Sequence, residues 1–283
     1  MLAGYVMYRN SVCHKPRQLV YARTAVPVGH GCRAVDLLAY RAFNKTGDSP
    51  LSDTITVQKR FCGPPESGNG GYVCGLLAKR FTGPVEVTLR APPPLDHPMS
   101  VEGDIQTGLQ VVDDGQLVAQ ARSVELELEI PELPEWEQVI EARAEYPGFK
   151  HHLFPECFVC GPDREPGDGL RIFAGPVPGT EVFAAVWVPS VVLADKEAKI
   201  NSEFVWAALD CPGYFAVTQD AEPMLLGRLT LECEGDVYPG EEYTVLAWPL
   251  GQEGRKHFAG TAVFDREGRR LARARAVWVS LPA

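Results

Sequence analysis

The chain has 283 residues, of which 45% are hydrophobic and 23% charged, fractions that are typical of a globular protein. Its net charge of -10, with no cluster of Lys and Arg, argues against a nucleic-acid partner. No apolar run approaches the roughly 20 residues of a membrane-spanning helix, and the N-terminus lacks the basic start of a secretory signal. The eight cysteines are scattered through a chain that can bury its own core. We therefore expect a soluble, cytoplasmic protein with reduced thiols, no membrane partner and no cofactor.

Residues 1–50 show no clear hydrophobic period, although Ala34–Phe43 could form a short helix. We interpret this stretch as an N-terminal extension without an assigned structure.

The first half, residues 51–131, combines one helix with several strands. Asn69 is a helix-start residue, and the small residues after it predict a helix through Ala78 that can approach other backbone closely. Apolar and polar residues then alternate, as expected of half-buried strands, and Asp113-Asp114-Gly115 predicts a tight hairpin turn. The predicted strands are Ile55–Val57, Val85–Leu89, Met99–Ile105, Gly108–Val112 and Gln116–Ile130.

Residues 132–179, rich in Pro and Glu, are interpreted as a connector, and the second half, residues 180–283, repeats the order of the first. Leu117–Val124 parallels Arg270–Val277, and each follows a turn containing Asp and Gly. Because helices do not alternate with strands, the pattern disfavours a doubly wound parallel sheet and predicts an α+β fold. The second half has a predicted helix opened by Asn201 and predicted strands at Val182–Val188, 224–234, Tyr243–Trp248, His257–Phe264 and Arg270–Leu281.

Three motifs resemble those of hotdog-fold acyl-CoA thioesterases. Asn69-Gly70-Gly71 resembles the helix-opening motif of that superfamily, in which His or Asn precedes two glycines. Ala208-Leu209-Asp210 resembles the part of the helix that carries the catalytic acid, and Cys157–Leu170 a segment that precedes the domain in some thioesterase-like proteins. The resemblance covers residues 51–283 and implies a double hotdog, with two curved antiparallel sheets each wrapped around one central helix. It also implies hydrolysis of an acyl thioester, with acyl-CoA as the expected substrate.

The two predicted helices differ in the residues that could carry chemistry. The position nine residues after Asn69 is Ala78, whereas the position nine residues after Asn201 is Asp210. Because hotdog thioesterases build their site between two paired folds, the resemblance implies one complete site. In it, Asp210 supplies the acid, and Asn69 orients the water or the substrate carbonyl.

Gly70 and Gly71 complete this expected site. A helix N-terminus offers free backbone N–H groups and favours negative charge, so these two amides are candidates for stabilising the oxyanion. The alternative is that the two glycines only permit tight helix packing.

The other candidates also have structural alternatives. Asn69 could serve as an N-cap, and Asp210, two residues before Pro212, could cap a restarted helix. Glu203 is expected to complement the dipole of its own helix. The missing motif residues in both helices leave open a non-catalytic hotdog module that binds acyl thioesters or a protein partner. Hydration or dehydration of an acyl chain is disfavoured because no His stands at either helix start. The sequence also leaves a homo-oligomer open.

Cys157 and Cys160, with His151 and His152 just upstream, suggest a zinc site. A structural zinc ion usually needs four ligands, however, and the sequence has no second CxxC pair. We therefore expect no metal, and interpret the pair as a reduced turn that covers part of the interface. Cys211 is expected to be a small core hydrophobe.

Overall fold

Residues 53–218 and 222–282 are described by the computed structural model. Residues 1–50, the predicted extension with its helix at Ala34–Phe43, lie outside the described residues. Within the described ranges, eleven strands form one antiparallel sheet. They are β1 (Thr54–Thr56), β2 (Val85–Leu89), β3 (Pro98–Asp104), β4 (Gly108–Asp113), β5 (Gln116–Ser123), β6 (Gly175–Pro176), β7 (Phe183–Trp187), β8 (Met224–Cys233), β9 (Tyr243–Glu253), β10 (Lys256–Phe264) and β11 (Arg270–Ser280).

The strand order divides the sheet into two parts that meet at one pair of strands. From edge to edge the order is β1-β3-β4-β5-β2-β8-β11-β10-β9-β7-β6. β2 of the first half pairs with β8 of the second half, with Val85 opposite Leu231 and Val87 opposite Leu229. β5 and β11, whose sequences resemble each other, flank this pair on either side. The internal sequence similarity therefore occupies equivalent places in the sheet.

Four α-helices lie in the described ranges: α1 (Gly70–Ala78), α2 (Trp136–Ala142), α3 (Ser202–Ala208) and α4 (Cys211–Val217). None of them is long and apolar enough to cross a membrane. α1 packs against β2, β5 and β8, while α4 packs against β7, β9 and β10. Asn69 and Asn201 immediately precede α1 and α3, as the sequence predicts.

α1 and α3 touch each other almost backbone to backbone. A Cβ atom added to Gly71 would lie 2.7 Å from the carbonyl oxygen of Trp206, and one added to Gly75 would lie 2.5 Å from the Cα of Glu203. No real Cβ approaches backbone so closely, so both positions require glycine. The helices of the two halves can meet because the α1 surface carries no side chain at these points.

The predicted connector contributes to the main core. Tyr146, Phe158 and Phe173 are almost fully buried there and join side chains from both halves. The connector also contains α2 and β6. It is therefore structured over much of its length and helps to hold the two halves together.

Three predictions about elements need correction. The sheet is one continuous layer joined at β2 and β8, rather than two separate sheets. The second half has two short helices, α3 and α4, where one central helix was predicted. β5 ends at Ser123 and does not reach Ile130, because pairing with β2 stops at Val85, which is opposite Ser123.

Candidate functional site

A cavity of about 1210 Å³ lies where the two halves and the connector meet. Its volume exceeds the roughly 300–1,000 Å³ that is usual for small-molecule sites. Exposed cationic side chains at this cavity are Arg90, Lys150 and Arg255. Apolar residues that line it include Leu89, Pro93, Phe154, Phe215, Leu226 and Trp278.

Asp210 belongs to the second half and lines this cavity, yet its carboxylate is held by the first half. Its Oδ2 atom accepts hydrogen bonds from the backbone N–H of Gly71 at 2.9 Å and from Asn69 Nδ2 at 2.8 Å. Its Oδ1 atom is buried and makes no hydrogen bond to the described residues. The carboxylate thus has one fixed oxygen and one oxygen available for another group.

The electrostatics of Asp210 follow from its burial. The residue is only 2% exposed. Burial raises the pKa of its carboxyl group to about 7, although the hydrogen bonds from Gly71 and Asn69 oppose this shift. Asp210 immediately precedes α4 but makes no side-chain capping hydrogen bond to it. Helix capping is therefore not the reason for a carboxylate at this position.

Asn69 links the start of α1 to Asp210. Its Oδ1 atom accepts the backbone N–H of Tyr72 at 2.9 Å, which is the N-cap hydrogen bond of α1. Its Nδ2 group donates to Asp210. The N-cap alternative is therefore present in the structure, and the same side chain also orients the acid.

Gly70 and Gly71 have different surroundings. The N–H of Gly71 is donated to Asp210, and a Cβ on Gly71 would strike the Cβ of Asp210 at 2.6 Å. Gly70 lines the cavity, and its N–H makes no hydrogen bond to the described residues. A Cβ on Gly70 would meet the side chains of Leu226 and Leu89, at 2.9 and 3.1 Å. Gly71 thus allows the two helices to pack closely and donates a hydrogen bond to Asp210, while the backbone N–H of Gly70 remains available at the cavity.

The start of α3 contains no comparable site. Glu203 lies in the first turn of α3 and is 6% exposed. Beyond complementing its own helix dipole, it forms an ion pair with Lys79, at 2.6 Å between Nζ and Oε2. Lys79 is the residue at the end of α1, so this pair joins the two halves.

The CxxC segment approaches the same cavity. Cys157 and Cys160 are buried free thiols, and the Sγ atom of Cys211 lies 3.6 Å from that of Cys157. The Nε2 atom of His152 lies 3.3 Å from Cys160 Sγ. The sequence predicted Cys211 only as a small core residue. Its contact with Cys157 could not be predicted, because the two positions are far apart in the sequence and share no recognisable motif.

Solved structures reveal which fold this is. No protein-family model matches the chain, and no curated protein matches its sequence. The chain is similar to the tesB protein of Mycobacterium avium subspecies paratuberculosis, with a TM-score of 0.57 and 12% identity over 87% of this chain and 99% of that one. It is also similar to a conserved hot dog fold protein of unknown function from Alicyclobacillus acidocaldarius, with a TM-score of 0.52 and 12% identity over 81% and 93%. The chain has the hotdog fold.

A third structure is consistent with this assignment. The acyl-CoA thioesterase II TesB2 of Mycobacterium marinum matches with a TM-score of 0.50 and 11% identity, over 81% of this chain and 93% of that one. The hotdog fold predicted from the motifs at Asn69 and Asp210 is therefore confirmed.

Proposed function

We propose that the chain hydrolyses acyl thioesters of the acyl-CoA type. The observation that carries the proposal is the buried carboxylate of Asp210, which one half supplies and the helix start of the other half holds. One of its oxygens has no hydrogen bond from the described residues, and the residue lines a large apolar cavity. A buried carboxylate with a raised pKa and a fixed orientation is typical of catalytic sites.

In the proposed reaction, Asp210 acts as a general base. Its Oδ1 atom takes a proton from a water molecule, whose oxygen attacks the carbonyl carbon of the thioester. The N–H of Gly70, at the positive end of the α1 dipole, donates to the oxyanion that forms. When the C–S bond breaks, the carboxyl group of Asp210 returns the proton to the leaving sulfur. The products are a carboxylic acid and a thiol.

Asn69 and Gly71 position the acid in this scheme. Both donate to the same oxygen, Oδ2, and leave Oδ1 to face the reacting water. The oxyanion role expected for both glycine amides is thereby assigned to Gly70, because Gly71 N–H is already engaged by Asp210.

The cavity supports the choice of acyl-CoA. Its apolar lining suits an acyl chain, and the exposed Arg90, Lys150 and Arg255 suit the phosphate groups of coenzyme A. Among the structures that share the fold are a tesB protein and an acyl-CoA thioesterase II, which supports the same substrate class.

We also infer that the chain is a double hotdog, with halves at residues 51–131 and 180–283 joined by residues 132–179. The equivalent places of β5 and β11 around the β2–β8 pair support this division. So do the equivalent positions of Asn69 and Asn201 before contacting helices.

The proposal is tested with Asp210→Asn on a panel of acyl-CoA substrates, with release of the free thiol as the readout. The amide oxygen of Asn can still accept from Asn69 and Gly71, so we expect the melting temperature to be preserved. Loss of the general base is expected to lower kcat by about 10²–10⁴.

Glu203→Gln is the matched control, because it makes the same chemical change at a buried carboxylate outside the cavity. It should leave kcat unchanged. A normally active Asp210→Asn protein would refute the mechanism. If the unaltered chain binds acyl-CoA without releasing thiol from any member of the panel, the module is a binding protein instead of a hydrolase.

A further inference from the structure

Three cysteines that are far apart in sequence meet beside the proposed active site. The Sγ atoms of Cys157, Cys160 and Cys211 all lie within 4.8 Å of one another, and all three residues are buried. Two belong to the CxxC pair of the connector, and the third is the first residue of α4. The other described cysteines, Cys62, Cys74 and Cys233, are outside this group.

One of the sulfur separations is close to that of two ligands on one metal ion. With Zn–S bonds of about 2.3 Å in a tetrahedral site, two ligand sulfurs lie roughly 3.8 Å apart. The separation between Cys157 and Cys211 is 3.6 Å. A disulfide would bring the two sulfurs to about 2.05 Å. The observed spacing therefore matches two ligands of one ion better than it matches a covalent bond.

His152, a candidate for the fourth ligand, stands next to this cluster but is not within 4.8 Å of all three sulfurs. The Nε2 atom of His152 lies 3.3 Å from Cys160 Sγ, close to the roughly 3.6 Å expected for a nitrogen and a sulfur on one zinc ion. The Nδ1 atom of His152 accepts the backbone N–H of Phe154 at 3.0 Å. If Nε2 binds the ion, the ring proton must be on Nδ1, which can then no longer accept the Phe154 N–H. The hydrogen bond between His152 and Phe154 must therefore break as the ring turns toward the three sulfurs.

We propose that Cys157, Cys160, Cys211 and His152 bind one Zn²⁺ ion in a closed, structural site. Three thiolates and one imidazole form a Cys₃His set, which is a standard structural zinc site. Soft thiolate ligands favour zinc over magnesium or calcium, and each cysteine loses its proton when the ion binds. The expectation of no metal rested on the absence of a second CxxC pair, and the fold brings Cys211 of α4 to the first pair instead.

The position of the site gives the ion a structural role. It ties the connector to the first residue of α4, and Asp210 is the residue immediately before it. The four ligands also line the cavity, so the ion would restrain the backbone that carries the proposed acid from the cavity wall.

The test begins with the unaltered 283-residue chain, purified without chelator and without added metal. We expect elemental analysis to find about one zinc ion per chain. After replacement of zinc by Co²⁺, the absorption spectrum should show the intense d–d bands of a tetrahedral site and thiolate-to-cobalt charge transfer. Both measurements are independent of thioesterase activity and of any variant that fails to fold.

Variants then identify the ligands. Cys211→Ser and Cys157→Ser should each lose most of the bound zinc, and His152→Ala should release it faster to a competing chelator. Cys233→Ser makes the same change on β8, outside the cluster, and should keep the full zinc content. Asp210→Asn should also keep its zinc while losing activity, which separates this proposal from the catalytic one.

Two results would overturn the proposal. One is a folded, unaltered chain that contains no zinc and gives no tetrahedral cobalt spectrum. The other is zinc that is retained in Cys211→Ser, which would place the ion elsewhere. Unchanged zinc release from His152→Ala would remove His152 from the ligand set.

Discussion

The starts of α1 and α3 each follow an asparagine and differ in what that asparagine holds. Asn69 caps α1 through Tyr72 and donates to Asp210, the carboxylate at the cavity. Asn201 makes no capping hydrogen bond and donates to the carbonyl of Leu193 instead. The same residue type before a helix thus holds a carboxylate in one half and a neighbouring loop in the other.

The residues after each asparagine extend this contrast. Gly70 and Gly71 leave the start of α1 free of side chains, whereas Ser202 and Glu203 fill the start of α3. The buried carboxylate near α3, Glu203, has Lys79 as a cationic partner. Asp210 has two neutral donors on Oδ2 and no hydrogen bond from the described residues on Oδ1. In this protein the buried acid with a cationic partner lies outside the cavity, and the buried acid with neutral donors lines it.

The largest effect is expected from Gly71→Ala, which tests whether the side-chain-free start of α1 is needed for its close contact with α3. The new Cβ would meet backbone at 2.7 Å and Asp210 at 2.6 Å, so α1 and α3 must move apart. We expect a loss of about 3 kcal/mol in the free energy of unfolding, at the upper end of overpacking costs. The better helix propensity of Ala recovers only about 1 kcal/mol of this.

Urea unfolding measures this loss, and Gly70→Ala is the matched control, because the three atoms nearest to its Cβ would all belong to leucine side chains, at 2.9 to 3.2 Å, and none to backbone. Gly70→Ala should unfold near the midpoint of the unaltered chain. If both variants were equally destabilised, the close contact between α1 and α3 would not be the cause.

A smaller effect is expected from Glu203→Gln. Glu203 is buried, but the Lys79 side chain is 36% exposed, so solvent screens part of the attraction. We expect roughly 1–2 kcal/mol less stability, between the values for surface and buried pairs. Thermal unfolding and thiol release are measured on the same sample, and kcat should not change. A loss of kcat without a loss of stability would move Glu203 into the active site.

The smallest effects distinguish the two asparagines. Asn69→Ala removes a real cap and should cost about 1 kcal/mol, together with a lower kcat because Asp210 loses one donor. Asn201→Ala removes no cap and should cost less, with kcat unchanged. Equal kcat values for the two variants would show that Asn69 does not position the acid.

The sequence predicted those features that depend on neighbouring residues. Asn69 and the small residues after it predicted α1, and alternation predicted β2 and most of β5. The alternation continues beyond Ser123, however, and predicted a strand to Ile130. Leu128 and Ile130 instead pack on a second hydrophobic cluster around Val139. The alternation of apolar and polar residues here reflects burial of these side chains, and no neighbouring strand among the described residues pairs with the segment.

The proposed site was only partly visible in the sequence for the same reason. Asn69, Gly71 and Asp210, which the motif resemblance grouped in one site, are in hydrogen-bond contact in the structure. The resemblance could not predict that the backbone N–H of Gly71 donates to Asp210, since this hydrogen bond depends on how closely the two helices approach. The contact between Cys157 and Cys211 is likewise a product of tertiary packing.

The pairing of β2 with β8 also affects how the chain is made. When the first half leaves the ribosome, β2 has β5 on one side, and its other side awaits a strand synthesised more than a hundred residues later. The glycine surface of α1 awaits α3 for the same period. Neither half can complete its structure alone, so we expect the nascent first half to need protection from aggregation until β8 has been translated.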